Sequence, residues 1–271
     1  MGAARLILTV ITVTAAGVMQ GAPAAAHGSA DWPVGGRSTS PTGAAASRRW
    51  TPRATGEDAF DTWNGGPDHD FADGAHLLTV EGRKLVGAGQ KSGIYWMVDA
   101  LTGEIVWSAA AGPGSAVGGI QWGTATDGER VYLVETNFFR QPYELPNGQV
   151  IDYSSIAALD AATGEVVWQI PEPHGGLAQG AVSVANGVLY AGSLGGSMYA
   201  LDAATGQVLW ETQGQGSSNA GPAIADGTVY WGNGYERANI GTPSRTFYAF
   251  GLPTARGQEP QGNVGGRRRG S

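Results

Sequence analysis

The sequence predicts an all-β protein, a β-propeller of about four blades in which each blade is a four-stranded antiparallel sheet. Composition gives the first indication. The 271 residues include 45 glycines, 14 prolines and nine tryptophans, and only 14% are charged, which is typical of many short strands joined by tight turns. Repetition gives the second. An 11-residue phrase ending in tryptophan occurs three times, and a second shared phrase precedes each copy, so a four-stranded unit recurs roughly every 40 to 60 residues.

The repeated phrase occupies residues 97–107, 158–168 and 200–210, and a degenerate fourth copy is recognisable at 248–250. The phrase before each copy contains a Glu-Gly, Asp-Gly or Asn-Gly pair, which supplies the positive φ angles that tight hairpins need. Each unit is therefore predicted to be strand, x-Gly turn, strand, loop, strand, Asp-x-x-Thr-Gly turn, strand. The residues between the turns are β-branched or aromatic and alternate locally, as strands do.

The Asp-x-x-Thr-Gly turns and the tryptophans are given structural roles. We expect the aspartates to accept hydrogen bonds from the N–H groups of their own turn and the glycines to be left-handed: Asp99, Asp160 and Asp202, and Gly103, Gly164 and Gly206. We expect each terminal tryptophan to dock against the neighbouring blade. The alternative is that these indoles line a ligand groove.

These repeats resemble the tryptophan-docking motif of pyrroloquinoline quinone (PQQ) propellers. Five further segments, 66–71, 87–93, 112–114, 118–128 and 220–235, resemble the polyvinyl-alcohol dehydrogenase family in a fixed order. Residues 31–36 are similar to that family's mature N-terminus. The resemblance covers roughly residues 57–252 and implies half of a family propeller that has about eight blades.

The sequence also departs from the family. The Cys-bearing insertion that follows the Trp-Asn element is absent, because Trp63-Asn64 leads directly into Gly65-Gly66-Pro67. The haem domain of some members is absent as well. Segments that would carry the catalytic aspartate, and most of the calcium and quinone-carboxylate contacts, belong to the missing half, so no catalytic residue is assigned.

Three residues are candidates for cofactor binding. The resemblance implies that Lys91, in a Lys-x-Gly turn, contacts the quinone oxygens, where a cation would stabilise developing negative charge. It implies that Trp122, in a Gly-Gly-x-x-Trp phrase, stacks on the cofactor ring, and that the Asn137 amide contacts the cofactor. The alternatives are a solvated loop lysine for Lys91 and a packing role for Trp122.

Other polar residues have more than one possible role. Asp68 and Asp70 flank His69, which suggests either a metal or acid–base cluster or a turn. We expect His174 to be a loop residue, and no metal-ligand set is assigned. Strand order places the Lys91 turn and the 108–122, 137–155, 169–179 and 233–245 segments on one face of the propeller, where such folds bind ligands.

The termini are expected to be separate from the propeller. Residues 1–26 are predicted to be a secretory signal with cleavage near Ala26, which implies a secreted, extracellular or periplasmic protein. Residues 27–56 are predicted to be a disordered linker with a remnant of the propeller start, 57–255 the blades, and 256–271 a disordered tail. The absence of cysteine excludes disulfides, thiolate metal sites and a lipoprotein anchor.

Two functions are consistent with these features. The first is an exported PQQ-dependent alcohol dehydrogenase-like propeller of the polyvinyl-alcohol type, with PQQ and Ca²⁺ as cofactors and an alcohol or polymer as substrate. Its site is incomplete, and activity is in doubt for that reason. The alternative is a non-catalytic scaffold that binds a protein, polymer or small ligand on the loop-rich face. A net charge of −7 argues against nucleic acid, no membrane anchor is expected, and a homodimer or a partner chain would complete the ring.

Overall fold

The computed structural model describes the backbone of residues 9–14 and the whole of residues 68–252, and every regular element in these ranges is a β-strand. In chain order the strands are β1 (Thr9–Thr14), β2 (His76–Val80), β3 (Arg83–Gly89), β4 (Ile94–Asp99), β5 (Ile105–Ala110), β6 (Ala125–Thr126), β7 (Arg130–Glu135), β8 (Tyr143–Glu144), β9 (Val150–Ile151), β10 (Ser155–Asp160), β11 (Val166–Pro171), β12 (Ser183–Ala185), β13 (Val188–Gly192), β14 (Ser197–Asp202), β15 (Val208–Gln213), β16 (Ala223–Ala225), β17 (Thr228–Gly232), β18 (Glu236–Arg237), β19 (Ile240–Gly241) and β20 (Thr246–Gly251). No helix in these ranges is long and apolar enough to span a bilayer.

Sixteen of the strands form four antiparallel sheets, which confirms the predicted all-β fold of four-stranded blades. The first three blades have the strand orders β2-β3-β4-β5, β6-β7-β10-β11 and β12-β13-β14-β15. The fourth has the order β16-β17-β20-β1, so its outer strand is β1, from the opposite end of the chain. The remaining strands form two small hairpins, β8-β9 and β18-β19, inside the loops that follow the second strand of their blades.

The turns follow the predicted chemistry. Asp160 Oδ1 accepts hydrogen bonds from the N–H groups of Ala162 and Thr163, both at 2.9 Å, and Asp99 and Asp202 make the equivalent bonds. Gly103, Gly164 and Gly206 have φ angles of 71°, 77° and 74°. The register of the third and fourth strands shifts just before this turn in each of the first three blades, a bulge that strengthens the local twist.

Tryptophan docking between blades is confirmed for Trp107 and Trp168, whereas Trp210 makes a ring contact with Phe250 of the fourth blade, with 4.9 Å between ring centroids. The indole nitrogen of Trp107 donates to the carbonyl of Ala161 in the second blade at 3.1 Å, and that of Trp168 donates to the carbonyl of Ala203 in the third at 3.0 Å. Both indoles are only 9% exposed. These tryptophans therefore join consecutive blades and do not line a ligand groove.

Three buried clusters lie between consecutive blades. The first includes Leu85 and Trp107 with Leu159, the second Tyr132 with Leu201, and the third Met198 with Trp231. Each blade contributes the side chains of one face to each interface, and the large apolar residues there are fully buried. The clusters therefore hold the blades in chain order.

Most of the terminal predictions lie outside the described residues: the signal segment apart from β1, the linker at 27–56, and the tail at 256–271. Strand β1 falls within the predicted signal segment, which stays a prediction.

Candidate functional site

The loops that follow the second and fourth strands of the blades meet on one side of the molecule, which we call the loop face. One backbone hydrogen bond of 2.8 Å joins these two kinds of loop in each of the first three blades: Ala111 N–H to the Gly93 carbonyl, Glu172 to Ser154, and Gly214 to Gly196. The predicted gathering of irregular loops on one face is therefore present in the structure.

Lys91 is held on the loop face by two carboxylates. Its Nζ lies 2.8 Å from Asp70 Oδ1 and 3.2 Å from Asp68 Oδ2. The lysine side chain is only 14% exposed, whereas the two aspartates are more than half exposed. Lys91 is thus the buried centre of a surface cluster that carries one positive and two negative charges.

The protonation of Lys91 follows from the same contacts. Partial burial would lower the pKa of its ammonium, but the hydrogen bonds and charges of Asp70 and Asp68 outweigh this effect and raise the pKa above its usual value. The side chain is therefore a cation throughout the physiological range.

The Lys91 turn is tightly built. Gln90 Oε1 accepts from the hydroxyl of Ser92 at 2.6 Å and from the indole of Trp96 at 3.1 Å. The Lys91 carbonyl accepts from Ser115 N–H at 2.9 Å, and a Cβ on Gly119 would lie 2.1 Å from that carbonyl oxygen. The backbone that presents Lys91 is therefore fixed by its neighbours.

Trp122 lies on the loop face in a strained backbone conformation. Its φ is 67°, a region that costs about 1–2 kcal/mol for a residue with a side chain. Its N–H donates to the carbonyl of Ala72 at 2.8 Å. The ring is 46% exposed and makes an edge contact with Tyr235 of the fourth blade, with 6.1 Å between ring centroids. An aromatic surface open to solvent is thus presented between the first and fourth blades.

Asn137 is buried, and both of its amide atoms are occupied. Nδ2 donates to the carbonyl of Gln141 at 2.7 Å, and Oδ1 accepts from the Gln141 N–H at 3.0 Å. Asn137 therefore closes the start of the long second-blade loop, with one hydrogen bond at each of its two amide atoms.

The three predicted cofactor residues lie on segments joined by the 115–122 loop. Lys91 is bonded to Ser115, Trp122 ends the loop, and Gly119 exchanges two backbone hydrogen bonds with Thr136, next to Asn137. The structure thus places the three residues around one loop, and Trp122 is the most exposed of them.

The residues around Asp70 form a cluster with Lys91. Asp68 and Asp70 bind Lys91, and His69 between them is 8% exposed with neither ring nitrogen hydrogen-bonded within the described part of the chain. In the ranges that the structure describes, no three or more His, Asp or Glu side chains are grouped as a metal would require. Sequence reasoning missed Asp73, which anchors this segment by accepting from Gly89 N–H and from both N–H and hydroxyl of Thr124.

His174 belongs to a separate cluster between the second and third blades. Its Nε2 is paired with the Glu211 carboxylate, which raises the pKa of the imidazole by hydrogen bonding and charge. Its backbone N–H donates to the buried carboxylate of Glu172, which also accepts from the hydroxyl of Tyr199. As predicted, His174 is a loop residue, and its contacts are structural.

Glu135 is a buried acid that sequence reasoning did not identify. It is 0% exposed, and within the described residues neither carboxylate oxygen has a hydrogen-bond partner. Its side chain packs under Gly112, where a Cβ would lie 2.6 Å from Glu135 Cγ. Burial raises the pKa of this carboxyl well above its usual value.

Comparison with known proteins supports the resemblance. Residues 152–242 match the family model PQQ_2, described as outer membrane protein assembly factor BamB. The chain is 32% identical to the polyvinylalcohol dehydrogenase of a Sphingopyxis species over 229 residues, 69% of this chain and 34% of that protein. It is also 32% identical to the polyvinylalcohol dehydrogenase of a Pseudomonas species over 198 residues, 63% of this chain and 30% of that protein. The matched region spans about a third of the length of these relatives.

Among solved structures, a europium-containing methanol dehydrogenase aligns with 69% of this chain and 48% of its own, with a TM-score of 0.50 and 15% identity. At this identity the likeness shows the fold alone. The chain thus carries a PQQ-type repeat in a propeller-like all-β fold.

Proposed function

We propose that this chain is a quinone-binding, alcohol dehydrogenase-like propeller of the polyvinyl-alcohol dehydrogenase type that binds PQQ on its loop face. The identity to two polyvinylalcohol dehydrogenases supports this proposal. One structural observation carries it: Lys91 is a largely buried ammonium, held by a rigid turn, on the face where the irregular loops meet.

The fit of the present residues to PQQ is partial. Lys91 supplies a cation for anionic oxygens, and Trp122 supplies an exposed aromatic surface for stacking. Asn137 makes one hydrogen bond to Gln141 with each of its amide atoms, and no acidic cluster suited to Ca²⁺ occurs among residues 68–252. PQQ, when bound, would accept the electrons of alcohol oxidation, but the residues that the structure describes here do not make up a complete catalytic site.

The described residues would bind PQQ mainly through the charge of Lys91. Two carboxylates surround Lys91 and give the cluster a net negative charge, so an anionic ligand must displace Asp68 and Asp70 from the same ammonium. Both aspartates are more than half exposed, so water can hydrate each carboxylate when it releases the ammonium. A ligand that brings its own negative oxygens can therefore exchange with them at small cost.

Titration with PQQ in the presence of Ca²⁺, followed by tryptophan fluorescence and calorimetry, tests the proposal. Lys91→Ala removes a charge-assisted hydrogen bond of about 1.5–3 kcal/mol and should weaken binding about 10- to 100-fold. The other lysine of the chain, Lys84, lies exposed on β3, and Lys84→Ala is the matched control. Equal binding by both variants would overturn the proposal.

A second function is supported by the Trp122–Tyr235 contact. This aromatic pair joins the loop between the first and second blades to the fourth blade, and exposed aromatic rings are favoured surfaces for polymers and proteins. A non-catalytic scaffold would bind its ligand through Trp122 whether or not Lys91 is present. Binding of polyvinyl alcohol that is lost in Trp122→Ala and kept in Lys91→Ala would favour this alternative.

Export is part of the same proposal. We propose that residues 1–26 direct secretion, as the sequence predicts, and that the propeller acts outside the cytoplasm; cleavage near Ala26 would remove β1 and leave β20 as the outer strand of the fourth blade. Fractionation of expressing cells, with mass determination of the recovered N-terminus, tests this directly. Recovery of the uncleaved chain in the cytosolic fraction would contradict it.

A further inference from the structure

The groove between the third and fourth blades differs in character from the groove between the first and second. Both lie on the side opposite the loop face, where the turns after the first and third strands of the blades meet. The first–second groove is lined in part by charged residues: Glu81, Glu129, Arg130 and Asp160. None of the thirteen residues that line the third–fourth groove is charged, and we call this groove the apolar cleft.

Strand pairing shows that the two grooves occupy the same place in the repeat. In the second blade, Arg130 at the start of β7 is the ladder partner of Asp160 at the end of β10. In the fourth blade, the corresponding partners are Thr228 at the start of β17 and Gly251 at the end of β20. A charged pair in one groove is therefore replaced by a neutral pair in the other.

The fourth blade also differs where its third strand ends. An aspartate ends the third strand in each of the first three blades, whereas Gly251 ends it in the fourth. Glycine has no carboxylate that could accept the N–H groups of a following turn. Trp210, at the repeat position of the docked Trp107, packs edge-on against Phe250, with 4.9 Å between ring centroids. Its indole thus forms a wall of the apolar cleft.

Aromatic and aliphatic side chains give the cleft its shape. Tyr190 and Trp210 come from the third blade, Ile224 and Phe250 come from the fourth, and Leu209, which is 43% exposed, lies at the rim. The cleft has a volume of about 230 Å³. An apolar cavity of about 150 Å³ is enough to bind benzene, so the volume of this cleft is suited to two fused rings.

We propose that the apolar cleft binds a neutral, flat molecule of two fused aromatic rings. Such a ligand can make edge or face contacts with Trp210 and Phe250, and removal of its apolar surface from water favours binding. A charged ligand would lose its hydration without meeting an opposite charge among the lining residues. The ligand is therefore uncharged.

The cleft is separate from the proposed quinone site. Lys91 and Trp122 lie on the loop face, and the cleft lies on the opposite side between the turns of the third and fourth blades. The ammonium of Lys91 attracts an anion, whereas the cleft takes a neutral molecule. The inference therefore does not depend on whether the protein binds PQQ.

A ¹⁹F NMR titration of the full chain with a fluoroindole, a neutral probe of two fused rings, tests the proposal. Saturable binding is expected. Leu209→Asp replaces an apolar contact at the rim by a hydrated carboxylate and should weaken binding about 10-fold or more. Val167→Asp is the matched control, because Val167 also directly precedes a blade tryptophan and is 44% exposed. Equal affinity in the two variants would overturn the proposal.

Further comparisons distinguish the cleft from other surfaces. The fluoroindole-acetate anion should bind about 10-fold more weakly than the neutral probe or worse, because the cleft offers it no counter-charge. Trp122→Ala and an excess of PQQ should leave binding of the probe unchanged. Loss of binding in Trp122→Ala, or displacement by PQQ, would place the probe on the loop face. Absence of saturable binding would mean that another segment or a second copy fills the cleft, and either result would overturn the proposal.

The tryptophan signals of the protein give an independent readout. In ¹⁵N-tryptophan spectra, the Trp210 indole signal, assigned with Trp210→Phe, should shift when the fluoroindole is added, because the bound ring lies against it. The signals of Trp107 and Trp168, which are docked between other blades, should stay in place. Saturable binding that leaves the Trp210 signal unchanged would contradict a site in the apolar cleft.

Discussion

The indole of Trp107 covers Gly164 of the following blade so closely that a Cβ on that glycine would lie 2.5 Å from Cε3 of the ring, and the indole nitrogen bonds to Ala161 three residues earlier. Trp168 and Gly206 have the same relationship one blade further on. Each docked tryptophan thus requires two features of the next blade. One is a glycine, which has no side chain to collide with the ring, and the other is a backbone carbonyl that accepts the indole N–H. Because this unit repeats, packing between blades is encoded locally within each repeat.

Removal of a docked indole should destabilise the fold. Trp107 is 9% exposed, and Trp107→Ala should lower the free energy of unfolding by about 3–5 kcal/mol, the cost of a large cavity and an unpaired carbonyl. Trp122→Ala is the control, because that ring is 46% exposed and surface changes are usually within about 0.5 kcal/mol. Urea denaturation followed by circular dichroism measures both. Similar losses in the two variants would contradict the docking role.

Glu135 should make stability fall as pH rises. Burial raises the pKa of its folded-state carboxyl, so the folded protein retains a proton that the unfolded chain releases near pH 4.5. Stability is therefore greatest below that pH and declines until the folded pKa is passed. Glu135→Gln should remove this decline and be more stable than wild type at pH 8, because a neutral amide has no charge to bury. Urea midpoints from pH 4 to 8 measure the effect, and parallel profiles would contradict it.

The His174–Glu211 pair should titrate above the usual range of histidine. Hydrogen bonding to Glu211 raises the imidazole pKa above 6.5, so its stabilising effect is complete below pH 6.5 and disappears as the pH passes the folded pKa. NMR titration of the His174 ring should give a pKa above 6.5, and Glu211→Gln should return it toward that value. An unchanged titration in Glu211→Gln would show that the pair does not form in solution.

Asn137 should support the loop and leave ligand affinity unaffected. Both amide atoms bind the backbone of Gln141, so Asn137→Ala should lower the free energy of unfolding by about 1–3 kcal/mol and speed hydrogen exchange at the Gln141 amide. PQQ affinity should stay within twofold of wild type. A large loss of affinity with unchanged exchange would restore Asn137 as a cofactor contact.

The sequence predicts contacts that recur within each repeat, and it does not predict contacts that depend on how distant segments pack together. The Asp160 turn, the left-handed Gly164 and the docking of Trp107 follow from one 11-residue phrase, because their contacts repeat with each blade. The ion pairs of Lys91 with Asp68 and Asp70 were not predicted, since they depend on how two loops pass each other. The burial of Glu135 was missed for a related reason. Glu135 ends β7, and whether it is buried depends on a loop from another part of the chain that covers it. Pairing of β1 with β20 involves opposite ends of the chain, and no local signal indicates it.

The most direct test of a quinone site at Lys91 is a calorimetric titration of PQQ into Asp70→Asn, compared with wild type. Asp70 makes the shorter of the two contacts with Lys91, at 2.8 Å, and its loss leaves the ammonium with Asp68 alone. If Lys91 binds the anionic quinone, affinity should rise severalfold in Asp70→Asn, and this gain should vanish when Lys91→Ala is added. No binding in either protein, or a gain that persists without Lys91, would contradict a quinone site at Lys91.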